Sequence, residues 1–311
     1  MEPLIIIAGP TAVGKSALAV SVAKKYGGSI ISCDSMQVYK GMNIGTAKIK
    51  NEETEGIPHY LLDVLDPSEE FNIVIFKQMA EQAIEDIQKS GRIPIMVGGT
   101  GFYIQSVLYD IDFDECIDDP DYRQSLWDLI DEKGDDHVHK MLRDIDPEAA
   151  SSISAKDHKR LVRALEYNHQ TGGLISEHNK ENRARTAHYE HCFFVLTDER
   201  SRIYDRINSR VDKMIEDGLV DEVRALLDKG LNRHNISMQG LGYKEIIDYL
   251  SGDISYEEAV YRIKRDSRHF AKRQLTWFRR ERDVIWLDKS TGEDIMKRID
   301  EELKKKGIIH D

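Results

Sequence analysis

The chain is poor in the features that mark secreted or membrane proteins. Among 311 residues it has three cysteines, Cys33, Cys116 and Cys192, odd in number and widely spaced. That argues against a disulfide framework and for a reducing cytoplasm. No Cys-x-x-Cys pair occurs, and the pairs His137/His139 and His188/His191 lack the further ligands a zinc site needs. Long apolar runs are missing. The N-terminal stretch Leu4 to Ala8 is far short of the ~20 residues of a membrane span, and no signal-peptide pattern precedes it. Repeats and low-complexity tracts are absent. Positive charge is scarce overall, with 44 Lys and Arg against 56 Asp and Glu, a net −12 that taken alone argues against a nucleic-acid partner.

The distribution changes that inference. Arg262 to Arg282 holds nine Lys or Arg and only Asp266 and Glu281 as acids, a local +7, so the rest of the chain carries −19. Most of Val260, Ile263, Phe270, Ala271, Leu275, Trp277 and Phe278 fit one packed face of an amphipathic helix. The other face is either solvated or a surface for a phosphate backbone, with Lys272 and Arg273 on it.

Leu4–Ala8 is a short β-branched run closed by Gly9-Pro10, the pattern of a buried parallel strand. Helical spacing follows from Ser16 to Tyr26, then a strand over Ser29–Cys33, a helix over Ile73–Ser90, a strand over Arg92–Val97 and a helix from Tyr103 to Leu108. From about Asp110 to Ala187 only helices are expected: Asp121–Lys133, Asp135–Arg143 and Lys156–Thr171. Strands return at Cys192–Leu196 and Val284–Leu287, with helices at Arg202–Glu216, Leu219–Lys229, Tyr256–Arg280 and Asp294–Lys305. The expected fold is α/β. A mostly parallel, helix-flanked core is built from 1–113 and 188–311, with an all-helical insertion over 114–187.

Gly9-Pro10-Thr11-Ala12-Val13-Gly14-Lys15-Ser16 matches G-x-x-x-x-G-K-[ST], between a strand and a helix. In such a loop the backbone N–H groups converge on phosphate oxygens and the helix N-terminus adds partial positive charge. Lys15 adds a full charge, and Ser16 is the expected Mg2+ ligand. The core is therefore expected to be P-loop NTPase-like. ATP or another nucleoside triphosphate is the default ligand, but a diphosphate ester satisfies the same donors. Asp34 follows directly on the second strand and should face the same crevice. It reads equally as a turn acid, a magnesium-bound acid or a general base. Gly98-Gly99-Thr100-Gly101 should form another wall.

These segments, with Asp34 to Lys48, Asp157 to Glu166, Gly242-Tyr243-Lys244-Glu245 and Ala271 to Trp277, resemble the tRNA dimethylallyltransferases (tRNA isopentenyltransferases) from residue 4 to about 288. The resemblance implies transfer of dimethylallyl from dimethylallyl diphosphate to N6 of the adenosine just 3′ of the tRNA anticodon (position 37). It implies that Asp34 is the base, that Thr11 bonds the bridging oxygen of the leaving group, and that Arg210 reaches the diphosphate. It implies RNA contacts at Asp34, Ser35, Met36 and Gln37, at Thr100 and Arg123, and at Lys159, Arg160, Leu161, Val162 and Arg163. Gln239, Gly240, Leu241, Gly242, Tyr243 and Lys244 belong to the same set. The insertion then reads as a module for the anticodon stem-loop.

This chain departs from the family with Val13 where Ser is common, and with Gln239 and Lys244 where many members have Arg. No zinc-finger extension, membrane or obligate protein partner is expected, and a monomer is the default state. The rival readings are a P-loop kinase of a nucleotide or small metabolite, which has no need of a +7 helix, and a transferase that prenylates free AMP.

Overall fold

The computed structural model describes residues 2–111, 113 and 119–309, so Cys116 and the expected boundary at 114 lie outside the described residues. β1 (Pro3–Ala8) leads through the glycine loop to α1 (Lys15–Tyr26), followed by β2 (Gly28–Cys33). A two-residue β3 (His59–Tyr60) precedes α2 (Ile73–Lys89), β4 (Ile93–Gly98) and α3 (Gly101–Leu108). Five helices come next: α4 (Pro120–Lys133), α5 (Asp135–Ile145), α6 (Pro147–Ser152), α7 (His158–Thr171) and α8 (Ile175–Ala184). The chain continues with β5 (Glu190–Thr197), α9 (Arg200–Glu216), α10 (Leu219–Asp228) and α11 (Tyr243–Leu250). It closes with α12 (Tyr256–Phe278), β6 (Val284–Asp288) and α13 (Ile295–Lys305).

The six strands form one sheet in the order β3-β2-β4-β1-β5-β6, and every pair is parallel. Strands buried on both faces need continuous apolar sequence, and β1 supplies it: Leu4, Ile5, Ile6 and Ile7 are wholly buried. Each such side chain contributes ~1.5–3 kcal/mol by leaving water. Ile5 and Ile7 meet Val20 and Ala23 of α1 and Ile299 and Leu303 of α13 in one cluster. On the sheet Phe193 of β5 meets Phe278 of α12 edge to face, ring centroids 6.2 Å apart. The chain moves from β1 toward β2 and β4, then returns on the other side as β5 and β6. Strand order therefore reverses at β1, the switch point where open α/β sheets hold ligands.

Tyr109–Thr186 form a separate compact unit from the sheet-bearing remainder. Its core is Leu126, Ile130, Val138, Leu142, Leu161, Val162 and Leu165. Asp119, Asp146 and Asp157 cap α4, α6 and α7 by accepting backbone N–H bonds.

Candidate active site

The glycine loop leaves β1 at Gly9, where a Cβ would stand 2.4 Å from the Leu196 carbonyl oxygen, so the backbone turns only because no side chain is present. Ala12 and Gly14 have φ of 62° and 100°. Gly14 is the N-cap of α1 and provides no capping side chain. Among the described residues no protein acceptor faces the N–H groups of Ala12 to Ser16. Uncapped N–H groups at a helix start, with the helix dipole behind them, are an anion site. Lys15 Nζ donates to the Pro10 carbonyl at 2.7 Å, folding the ammonium over the loop. Burial pushes its pKa down to about 7; nearby Arg210 adds to the lowering and Asp34 opposes it.

Two arginines of α9 grip the loop. Arg206 donates from Nε to the Ala12 carbonyl at 3.0 Å and from Nη2 to Asp198 Oδ2 at 2.8 Å. Arg210 donates from Nη1 to Thr11 Oγ1 at 3.3 Å and from Nη2 to the Thr46 carbonyl at 3.1 Å. Burial lowers its pKa, with Asp34 opposing. A cavity of about 480 Å3 opens on Gly14, Lys15, Ser16 and Arg210. A larger one of about 620 Å3, lined by Tyr204, Lys272, Arg279 and Trp286 among others, excludes the loop residues.

Asp34 sits at the end of β2, as its position implied. Its Oδ1 accepts from the Met36 and Gln37 N–H groups at 2.9 and 3.3 Å. The turn-acid role is thus real, and it aims the carboxylate. Among the described residues no protein donor bonds Oδ2. Met36 lies against Gly240, where a Cβ would be 3.1 Å from Sδ. Gln37 donates from Nε2 to the same Thr46 carbonyl that Arg210 uses, at 3.2 Å. The segments around Asp34, Thr46 and Gly240 are therefore one constellation. Thr100 opens α3, its carbonyl accepting from Tyr103 N–H at 3.0 Å. Gly98 approaches β2 so closely that a Cβ would be 2.3 Å from the Cys33 oxygen.

Two positions escaped sequence reasoning. Glu222 of α10 accepts from the N–H groups of Asn43, Ile44 and Gly45 at 2.9, 2.8 and 3.0 Å, and from the Tyr243 hydroxyl at 2.6 Å. It fixes the loop that carries Thr46. Gln274 of α12 joins two loops and is treated below. Local sequence gives neither one a role, since three of Glu222's four partners lie 177 to 179 residues away and Gln274's lie 175 and 263 residues away.

Three of the expected RNA-contacting positions have buried side chains. Leu161 and Val162 are 0% and 3% exposed in the helical core, and Tyr243 is 1% exposed, with its hydroxyl on Glu222 and its ring over Gly45. None presents its side chain to a ligand. Lys159, Arg160 and Arg163 are exposed on α7, with Arg160 paired to Asp157 at 3.4 Å. Arg123 donates from Nε to the buried Glu166 at 2.6 Å. Gln239 and Lys244 are exposed; Lys244 lies 3.5 Å from Glu245. In α12, Arg262, Lys264 and Arg265 pair with Glu258, Asp212 and Asp266. Among the described residues Lys272, Arg273, Arg279 and Arg280 make no ion pair, which narrows the basic face to the end of the helix.

Among the described residues no three His, Cys, Asp or Glu side chains gather around a metal position. Mg2+ asks for less: one or two protein oxygens, with substrate phosphates and water completing its shell. The exposed Ser16 hydroxyl beside the uncapped helix start is an oxygen donor of that kind.

A family model described as IPP transferase matches residues 37–281. The chain belongs to the IPP transferase family. A relative named tRNA dimethylallyltransferase from Lachnoclostridium phytofermentans is 54% identical, over 93% of this chain and 92% of its own. One of the same name from Carboxydothermus hydrogenoformans is 49% identical over 97% and 96%. The solved tRNA isopentenylpyrophosphate transferase of Bacillus halodurans is 43% identical, covers 99% and 98% of the two chains, and superposes with a TM-score of 0.74. A eukaryotic dimethylallyltransferase described as acting on tRNA has a TM-score of 0.77 at 30% identity, over 99% of this chain and 78% of its own. The sheet, its phosphate loop and its flanking helices are thus the IPP transferase core.

Proposed function

We propose that the protein transfers a dimethylallyl group from dimethylallyl diphosphate to tRNA, at N6 of the adenosine 3′ of the anticodon (position 37), releasing diphosphate. The observation that carries this reading is the convergence of an uncapped phosphate loop, Arg210 on Thr11, and a carboxylate oxygen of Asp34 without a protein donor. The relatives' names support tRNA as the acceptor and dimethylallyl as the group transferred; the diphosphate donor is proposed from the loop. The proposed acceptor site lies at the ends of β2 and β4, around Asp34 and Thr100.

The diphosphate binds to the loop N–H groups of Ala12 to Ser16 and to Lys15. Thr11 Oγ1 and Arg210 Nη1 face the bridging oxygen. The N6 lone pair attacks C1 of the allyl group, the C1–O bond breaks, and its electron pair leaves on the diphosphate. The N6 proton passes to Asp34 Oδ2. Charge grows on the leaving oxygens as the bond lengthens, so donors held in place stabilise the transition state more than the ground state. Ser16 would hold Mg2+ if it binds here, and the ion would supply further neutralisation of that charge. The adenine must leave the anticodon stack, at a cost of a few kcal/mol. Exposed Lys272, Arg273 and Lys159 are proposed to offset that cost through phosphate contacts.

The test is Asp34→Asn, which keeps the Oδ1 acceptor for its own turn and removes the base. Turnover should fall ~10²–10⁴-fold with tRNA affinity retained. A wild-type rate would overturn the assignment.

A further inference from the structure

α12 places one side chain between the two halves of the site. Gln274 is 6% exposed. Its Oε1 accepts from the Thr11 N–H at 2.9 Å, and its Nε2 donates to the Gly99 carbonyl at 3.0 Å. Thr11 leaves β1 and Gly99 leaves β4, neighbouring strands whose pairing ends at Ala8 and Gly98. Beyond that point Gln274 links the two turns by hydrogen bonds to both. A primary amide supplies an acceptor and a donor on one flat group. The gap fits it closely, since a Cβ on Gly99 would stand 2.0 Å from Nε2.

The two turns serve different substrates under the function proposed above. Thr11 belongs to the diphosphate loop, and its hydroxyl already holds Arg210. Gly99 precedes Thr100, on the acceptor side. We infer that Gln274 is a positioning residue that couples the two substrate sites, so that filling the diphosphate loop changes the affinity for tRNA. A shift of the Thr11 backbone is passed to Gly99 through a buried amide with bonded partners at both ends. Linkage requires the effect to be reciprocal. This inference rests on the proposed function.

The test measures the Kd of unmodified tRNA with and without saturating magnesium pyrophosphate, and of pyrophosphate with and without tRNA. In the wild type each ligand should change the other's Kd by about fivefold or more, the same factor in both directions. Gln274→Met keeps the side-chain length and removes both hydrogen bonds. Its coupling factor should fall to within about twofold of one while each ligand alone still binds. Gly99→Ala, whose Cβ displaces Nε2, should give the same loss from the other side, and it carries the test should Gln274→Met fail to fold by circular dichroism. A merely structural glutamine would lower the melting temperature and leave the coupling factor intact. Equal coupling in wild type and both variants, or none in the wild type, overturns the inference while transfer activity keeps the proposed function. A wild type that transfers nothing to tRNA overturns both.

Discussion

Lys15 makes the proposed diphosphate site sensitive to pH in a way that can be worked out in advance. Its ammonium is held at about 7 by burial and by Arg210, against ~10.4 for an ordinary lysine. A bound diphosphate restores the charge and raises the pKa again. Binding above pH 7 must therefore take up a proton. At pH 8 the free protein carries that proton in about a tenth of molecules, so uptake on binding is about 0.9 proton; at pH 6 it is about 0.1. Affinity should fall nearly tenfold for each unit between pH 8 and 9.5, about 1.4 kcal/mol per unit. A diphosphate monoester is the probe to use, because its own last proton leaves near pH ~6, by analogy with phosphate esters. Calorimetry in two buffers of different ionisation enthalpy reads the uptake directly. Lys15→Arg keeps a charge at all these pH values, so its profile should be flat. A flat wild-type profile, or the same slope in Lys15→Arg, would refute the reasoning. The same shift bears on folding: the unfolded chain binds the extra proton between about 7 and ~10.4, so unliganded stability contributed by this group rises with pH across that window.

Other perturbations follow from the same geometry. Glu222→Gln replaces a carboxylate that accepts four hydrogen bonds by an amide whose NH2 faces donors. It should cost about 2–4 kcal/mol by thermal or urea unfolding and reduce transfer as Thr46 shifts away from Arg210; unchanged unfolding would mean the clamp carries no load. Replacing Lys272 and Arg273 together by Gln should flatten the dependence of log affinity for tRNA on log salt by roughly one per lost phosphate contact. An unchanged slope would return this end of α12 to ordinary solvated surface.

The sequence made the framework of the site readable, and the physical reason is locality. The strand, loop and helix from Pro3 to Tyr26 are one contiguous run whose apolar, glycine and helical spacing can be read locally. The same holds for Asp34, placed by the strand before it. Its turn-acid reading is met by Oδ1, and the magnesium-bound and general-base readings both remain for Oδ2. What stayed hidden depends on distant partners. Gln274 and Glu222 are ordinary polar helix residues until the fold brings them to Thr11 and to the loop at Asn43. The helix Ile175–Ala184 is not legible in the sequence because its polar residues have no apolar period, nor is β3, because two residues carry no pattern. At Leu161 and Val162 the helical stripe through Leu165 already pointed inward, a signal that outweighs a segment-wide assignment to RNA.

The central claim is tested most directly by the product. The protein is mixed with Mg2+, dimethylallyl diphosphate and unmodified tRNA, and the tRNA is digested to nucleosides for mass spectrometry. The account predicts a gain of one isopentenyl unit on the adenosine next to the anticodon, with diphosphate released in equal amount. Product on free AMP but not on tRNA, or consumption of ATP with no prenylated nucleoside, would contradict it.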